Sequence, residues 1–251
     1  NYVATIVAPG TVRLLDRASL SPVAEVPAPG ADALAVSTDW LVYRAPMASG
    51  GDGIFSRQIT DPARPGAIQQ AAGIGGSGQL SPPAVDGSNL VYAIATPSGS
   101  RVVQHTLGTQ QTRAVVRSNR VLLFDPSVKD KSFTYVRTDA RRSRLMIRRF
   151  RKGGPGRVLL ALKRRFGQLW SSSLTEGSAF VTVLEPGTSR YLEVAAPVMA
   201  EPSCSGVTSP GSNSPTSLPR RITSIRSDRP ISSSRSAEIS SVASPSRRAA
   251  L

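Results

Sequence analysis

Four segments of the chain repeat one pattern at near-constant spacing. Ser37-Thr38-Asp39-Trp40-Leu41-Val42-Tyr43, Asp86-Gly87-Ser88-Asn89-Leu90-Val91-Tyr92, Lys129-Asp130-Lys131-Ser132-Phe133-Thr134-Tyr135 and Thr175-Glu176-Gly177-Ser178-Ala179-Phe180-Val181 each place a polar turn before a short apolar run. Aligned on Leu41, Leu90, Phe133 and Ala179, they lie 49, 43 and 46 residues apart. Each run leads into a tip suited to tight turns (47–53, 96–100, 138–143, 185–189), then a second run starting at Ile54, Arg101, Arg144 or Arg190. The first three repeats continue through another turn to a further run, as in 111–116 and 157–160. Short apolar runs bounded by turn-forming residues predict strands, and helical periodicity is scarce. Strands are expected over 2–7, 12–15, 40–44, 89–94, 102–107, 133–136, 145–150, 158–162, 179–183 and 191–195.

A four-stranded unit of this size cannot bury both of its faces alone and gains a core by stacking on its neighbours. The expected fold is therefore all-β: a β-propeller-like repeat of four-stranded antiparallel blades, about four blades plus a partial one. The repeats fall at 31–75, 76–118, 119–166 and 167–199 within a domain of residues 1–200. Residues 1–30 form the partial blade, in which 12–17 and 24–26 read as outer strands.

Ser81-Pro82-Pro83-Ala84-Val85-Asp86-Gly87 and Asp125-Pro126-Ser127-Val128 precede the Leu-Val-Tyr type of run. In this the chain resembles the TolB-like and related six- to eight-bladed propellers over roughly 31–198. No Trp-Asp dipeptide closes a repeat in the manner of WD40 propellers. The resemblance implies a non-catalytic scaffold that binds a protein, peptide or polymer through its blade loops, exported or in the cell envelope. Two other readings stay open. One is the propeller of an enzyme, either a lyase or hydrolase with its site in the central channel or a peptidase propeller without its catalytic domain. The other is a truncated, nonfunctional product.

All 13 aromatic residues lie between Tyr2 and Tyr191. Residues 201–251 hold 16 serines, six prolines and seven arginines, a composition that cannot offset its ordering entropy by burial, so a disordered tail is expected. A genuine low-complexity tail, a linker and out-of-frame translation in place of further blades are the three readings of it. The formal charge of +15 points to an anionic partner, but 27 Arg against four Lys is also what a GC-rich coding sequence yields without selection for binding. One cysteine, Cys204, forms no intrachain disulfide, and His105 as sole histidine leaves no zinc-site spacing. No apolar run reaches the roughly 20 residues of a membrane span, and the first residues lack the basic and apolar regions of a signal peptide.

No catalytic, cofactor or metal site is expected. Residues 73–78 match G-x-G-x-x-G, but 79–83 offer no helix to meet a pyrophosphate, so an interblade loop is expected. No G-x-S-x-G elbow accompanies His105, which sits at strand alternation. Asp16, Asp39, Asp86, Asp130 and Glu176 are explained by turn chemistry. The sharpest local feature is residues 137–165, where 12 cations accompany one acid, Asp139. Within it Arg141, Arg142, Arg144, Arg148, Arg149, Arg151 and Lys152 are the candidate polyanion-binding residues, provided they share a face. The alternative is a solvated hairpin and edge strand. Only Phe150 and Phe166 offer stacking there, which argues against nucleic acid as the partner.

Overall fold

The computed structural model describes residues 2–8, 10–150 and 156–196, together with the backbone of 224–225. Nearly everything described is strand. The first sheet contains β1 (Tyr2–Ala8), β2 (Thr11–Asp16) and β3 (Pro22–Pro27); the second, β4 (Ala33–Val36), β5 (Trp40–Pro46), β6 (Asp52–Gln58) and β7 (Gln69–Ile74). The third holds β8 (Gln79–Leu80), β9 (Ala84–Asp86), β10 (Asn89–Thr96), β11 (Gly99–Thr106) and β12 (Gln111–Ser118), with β8 and β9 sharing one place beside β10. The fourth is β13 (Leu122–Lys129), β14 (Ser132–Thr138), β15 (Arg142–Arg149) and β16 (Arg157–Lys163). The fifth is β17 (Gln168–Leu174), β18 (Ser178–Glu185), β19 (Thr188–Ala195) and β20 (Ser224–Ile225), and a 3-10 turn, Arg164–Phe166, links the fourth sheet to it. The expected disordered tail lies, apart from β20, outside the described residues.

Each sheet is an antiparallel meander, and the sheets stand around a common axis as a five-bladed, propeller-like ring. β4, β9, β13 and β17 lie innermost, each beside the next. In the first sheet, β3 passes to the innermost β4 by a short link, as β12 passes to β13 and β16 to β17. Its three strands are therefore the second, third and fourth of a blade, and among the described residues it has no innermost strand.

The core is divided between the blades. One apolar cluster joins the first sheet to the second around Val12, Leu14, Leu41 and Tyr43, and another joins the second to the third around Val42, Ile54 and Leu90. Val91, Val102, Phe133 and Met146 join the third to the fourth; Leu145, Ile147, Val181 and Val183 join the fourth to the fifth. Strand alternation sends Met146 to one neighbour and Leu145 and Ile147 to the other, which is why the middle strands read as nearly continuous apolar runs. Four cores serve five sheets. The first and fifth share none among the described residues, and Val3, Ile6 and Val7 of β1 and Phe180, Leu184 and Tyr191 of the fifth sheet are exposed.

Polar clasps repeat between blades. Ser100 and Ser143, second in their strands, accept hydrogen bonds from the amides of Leu123 (2.9 Å) and Leu169 (3.3 Å) in the next innermost strand. At the opposite end, Asp130 N–H donates to Asp86 Oδ2 (2.6 Å) and Leu174 N–H to Ser127 Oγ (2.9 Å). A bulge also repeats. In each of the first four sheets the register between third and fourth strands slips by one residue, leaving Val23, Ala71, Val115 and Leu159 as the extra residues. Arg148 Nη1 donates to the Val115 carbonyl at 2.7 Å, so this guanidinium ties the fourth sheet to the third at the bulge.

Candidate binding site

The hairpins joining second to third strands, and the links leading into each innermost strand, lie at one end of every sheet. At this hairpin end the innermost strands of the third, fourth and fifth sheets are all irregular. Ser81-Pro82-Pro83 interrupts β8 and β9, the β13 register slips between Phe124 and Ser127, and that of β17 slips between Leu169 and Ser171. Proline lacks the N–H a ladder requires, and a bulge re-aims the side chains beside it. The irregularities converge on one cleft of about 330 Å³, lined by Leu80, Ser81, Pro82, Leu122, Phe124, Asp125, Gln168 and Trp170 with Gln79, Ala93, Ala95 and Leu123. Trp170, the residue bulged out of β17, is 55% exposed, and Leu122 is exposed beside the same cleft.

Asp125 is the cleft's only carboxylate among the described residues. It has φ +46°, and its Oδ2 accepts from Ser172 N–H at 2.6 Å. Burial pushes its carboxyl up to about 6, while the Ser172 hydrogen bond pulls in the other direction.

A second cleft, of about 470 Å³, opens on the other face of the end of β10. It is lined by Ile94, Thr96, Ser98, Gly99, Ser100, Arg101, Arg117, Ser118 and Asn119. Arg101 and Arg117 are direct cross-strand partners. The same end of the fourth sheet holds two more opposed cationic pairs, Arg137 with Arg144 and Arg142 with Lys163. Like charges directly opposite one another destabilise a sheet.

The candidate polyanion residues divide along β15. Arg141 and Arg142 are exposed at the hairpin end, where Arg144 pairs with Asp139 at 3.0 Å. The Arg141 and Arg142 amides and the Arg144 guanidinium all engage that carboxylate, and the two amides, ahead of the arginine, hold it below its usual range. Arg148 and Arg149 lie at the far end of the strand, from ~13 Å (Arg144 to Arg148) to ~23 Å (Arg142 to Arg149) along it at the usual strand rise. Arg151 and Lys152 lie outside the described residues. Arg101, Arg117 and Arg120, from the third sheet, are brought to the same end as Arg141 and Arg142, a grouping that no run in the sequence marks. His105 is buried in β11 with Nδ1 2.7 Å from Thr112 Oγ1, and desolvation lowers its pKa. Residues 73–78 cover the end of β7 and a turn, with no helix following. Among the described residues no cluster of three or more His, Cys, Asp or Glu is placed to hold a metal, and no helix is long and apolar enough to cross a membrane.

This architecture is a β-propeller, and solved structures share it. TolB from Acinetobacter baumannii matches at a TM-score of 0.50 and 10% identity over 78% of this chain and 51% of its own, so the chain spans about half that protein's length. The β-propeller domain of the Trilobed protease from Pyrococcus furiosus, which reveals an open velcro topology, matches at 0.50 and 9% identity over 77% of this chain and 60% of its own. A chain of a nidogen/laminin complex matches at 0.50 and 11% identity over 76% of each chain. At such identities the likeness is one of fold. No family model matches the sequence, and no curated protein does.

Proposed function

We propose that this propeller is a non-catalytic scaffold that binds a protein or peptide through its hairpin end. The observation that carries the reading is Trp170, bulged out of the innermost strand and exposed over a cleft that Leu80, Pro82, Leu122 and Phe124 make largely apolar. Tryptophan over a concave apolar surface is the typical anchor of an interface. A propeller of the same fold in a nidogen/laminin complex is consistent with such use. The polar atoms of the cleft suit orientation of a ligand more than chemistry, since among the described residues Asp125 has no second carboxylate in the cleft and its Oδ2 is held by Ser172.

The test is selection of a displayed peptide library on the immobilised full chain. Enriched peptides should lose at least tenfold in affinity for Trp170→Ala. Peptides indifferent to that change would move the site elsewhere, and failure to enrich any would remove the reading. One observation favours catalysis: the raised pKa of Asp125 in a cleft. Turnover of a peptide, ester or glycoside substrate that Asp125→Asn abolishes would replace the scaffold with an enzyme.

A further inference from the structure

The third residue of the third strand is arginine in four of the five sheets: Arg13, Arg101, Arg144 and Arg190. Three of these meet a carboxylate, Arg13 with Glu25 at 2.7 Å, Arg144 with Asp139 at 3.0 Å and Arg190 with Glu185 at 2.6 Å. Arg101 meets Arg117. The register is the same as in the first sheet and only the residue differs: opposite Arg13 the fourth strand supplies Glu25, and opposite Arg101 it supplies Arg117. The bulge at Val115 creates this pairing, for without the one-residue slip Arg101 would face Val116. Neither arginine is joined to a carboxylate among the described residues, and both are exposed on the 470 Å³ cleft beside Ser98 and Asn119.

Two guanidinium groups on adjacent strands start from Cβ atoms about 5 Å apart, close enough to converge on one small group. A carboxylate has two oxygens, which one bidentate guanidinium occupies. A tetrahedral oxyanion has oxygens for both forks, and its charge removes the repulsion between them. Gly99, at φ +147°, lets the hairpin lie close to the fourth strand; a Cβ there would come within 2.5 Å of the Ser118 carbonyl oxygen. We propose that Arg101 and Arg117 form a binding site for a tetrahedral oxyanion, a phosphate or sulfate group, free or carried as an ester. The site is separate from the Trp170 cleft: Ile94 and Thr96 line it, while Ala93 and Ala95, on the other face of β10, line the Trp170 cleft.

The experiment is thermal unfolding and calorimetric titration of the full chain with inorganic phosphate, against chloride at matched ionic strength and pH. Phosphate should raise the midpoint where chloride does not, because a ligand of the folded state stabilises it by mass action. Arg117→Glu should abolish the response while keeping the fold, since it recreates the Arg13–Glu25 arrangement of the first sheet. Arg141→Glu, in the fourth sheet, should retain it. Phenyl phosphate in the same titration separates a carried group from the free ion, and binding of either that is lost in Arg117→Glu supports the site. A shift that follows ionic strength whatever the anion, an equal shift in Arg117→Glu, or no phosphate response overturns the proposal.

Discussion

The first two sheets and the third and fourth treat charge differently in the same framework. In the first pair the hairpin-end arginines are neutralised. Arg13 holds Glu25, and Arg44 bonds both oxygens of Asp32 at 2.9 and 2.7 Å while reaching the Leu80 carbonyl of the third sheet. In the second pair arginine faces arginine or lysine across the ladder three times, although Arg144 also holds Asp139, and the half-buried carboxylate Asp125 receives a backbone N–H with no cation paired to it among the described residues. The register between third and fourth strands gives no reason for the difference between Arg13 and Arg101, because it is the same around both. Local rules of stability are most often broken where a surface has other work, and the third and fourth sheets line the clefts of the hairpin end, joined at one of them by Gln168 and Trp170 of the fifth.

The largest test of this contrast concerns Asp125. Its carboxyl is raised from 3.8 to about 6 in the folded chain, so folding favours the protonated form. That contribution is fully present below the unfolded value and is lost as pH rises through about 6. Asp125→Asn keeps an oxygen for Ser172 N–H without the charge. It should stabilise the chain at pH 8 by up to about 3 kcal/mol, a figure set by a shift of roughly two pKa units, and change little near pH 4. Urea midpoints measured across that range check it, and an advantage constant with pH would mean that the buried charge is not the cause. His105 opposes this trend: its depressed pKa favours the folded state above its ordinary value and costs stability as pH falls below it.

Transplanting the third sheet's pattern into the first gives a smaller effect. Glu25→Arg removes an ion pair worth about 0.5 kcal/mol at such exposure and sets Arg13 against a like charge, a further ~0.5–1 kcal/mol. The expected result is a midpoint lower by a few degrees in calorimetry. No change would show that the opposed pairs of the third and fourth sheets are harmless and need no ligand to explain them.

How much of this was legible in the sequence depended on which strand carried it. The middle strands, such as β10, are buried on both faces by neighbouring blades, so Leu90-Val91-Tyr92 and its counterparts stood out as apolar runs. The innermost strands did not. β4 has four residues and β9 three, and β13 is crossed by a proline and a positive-φ aspartate, so no alternation survives to be read. The Ser-Pro and Asp-Pro steps were visible as blade motifs, but not as the cause of a cleft, since their convergence requires three sheets side by side. The arginine run of 141–152 left open whether its side chains share a face, and only the strand shows that β15 carries Arg142 and Arg149 to opposite ends of the sheet. Arg101 and Arg117 are 16 positions apart and gave no signal, because a single extra residue, Val115, decides whether they meet.

Salt gives the finest measure of the contrast. Opposed cations repel less as the Debye length shrinks from about 10 Å at 0.1 M to about 3 Å at 1 M, while pairs such as Arg13–Glu25 lose attraction over the same range. Arg101 and Arg117 therefore predict that sodium chloride stabilises the third sheet's rim and weakens the first. In Arg117→Glu both rims carry matched pairs, so the salt-induced rise in the unfolding midpoint should shrink by an amount worth a few tenths of a kcal/mol, within the range of exposed pairs. The sign of this change is more informative than its size. An unchanged slope would mean that the two guanidinium groups already avoid each other in solution, leaving no repulsion for an anion to relieve.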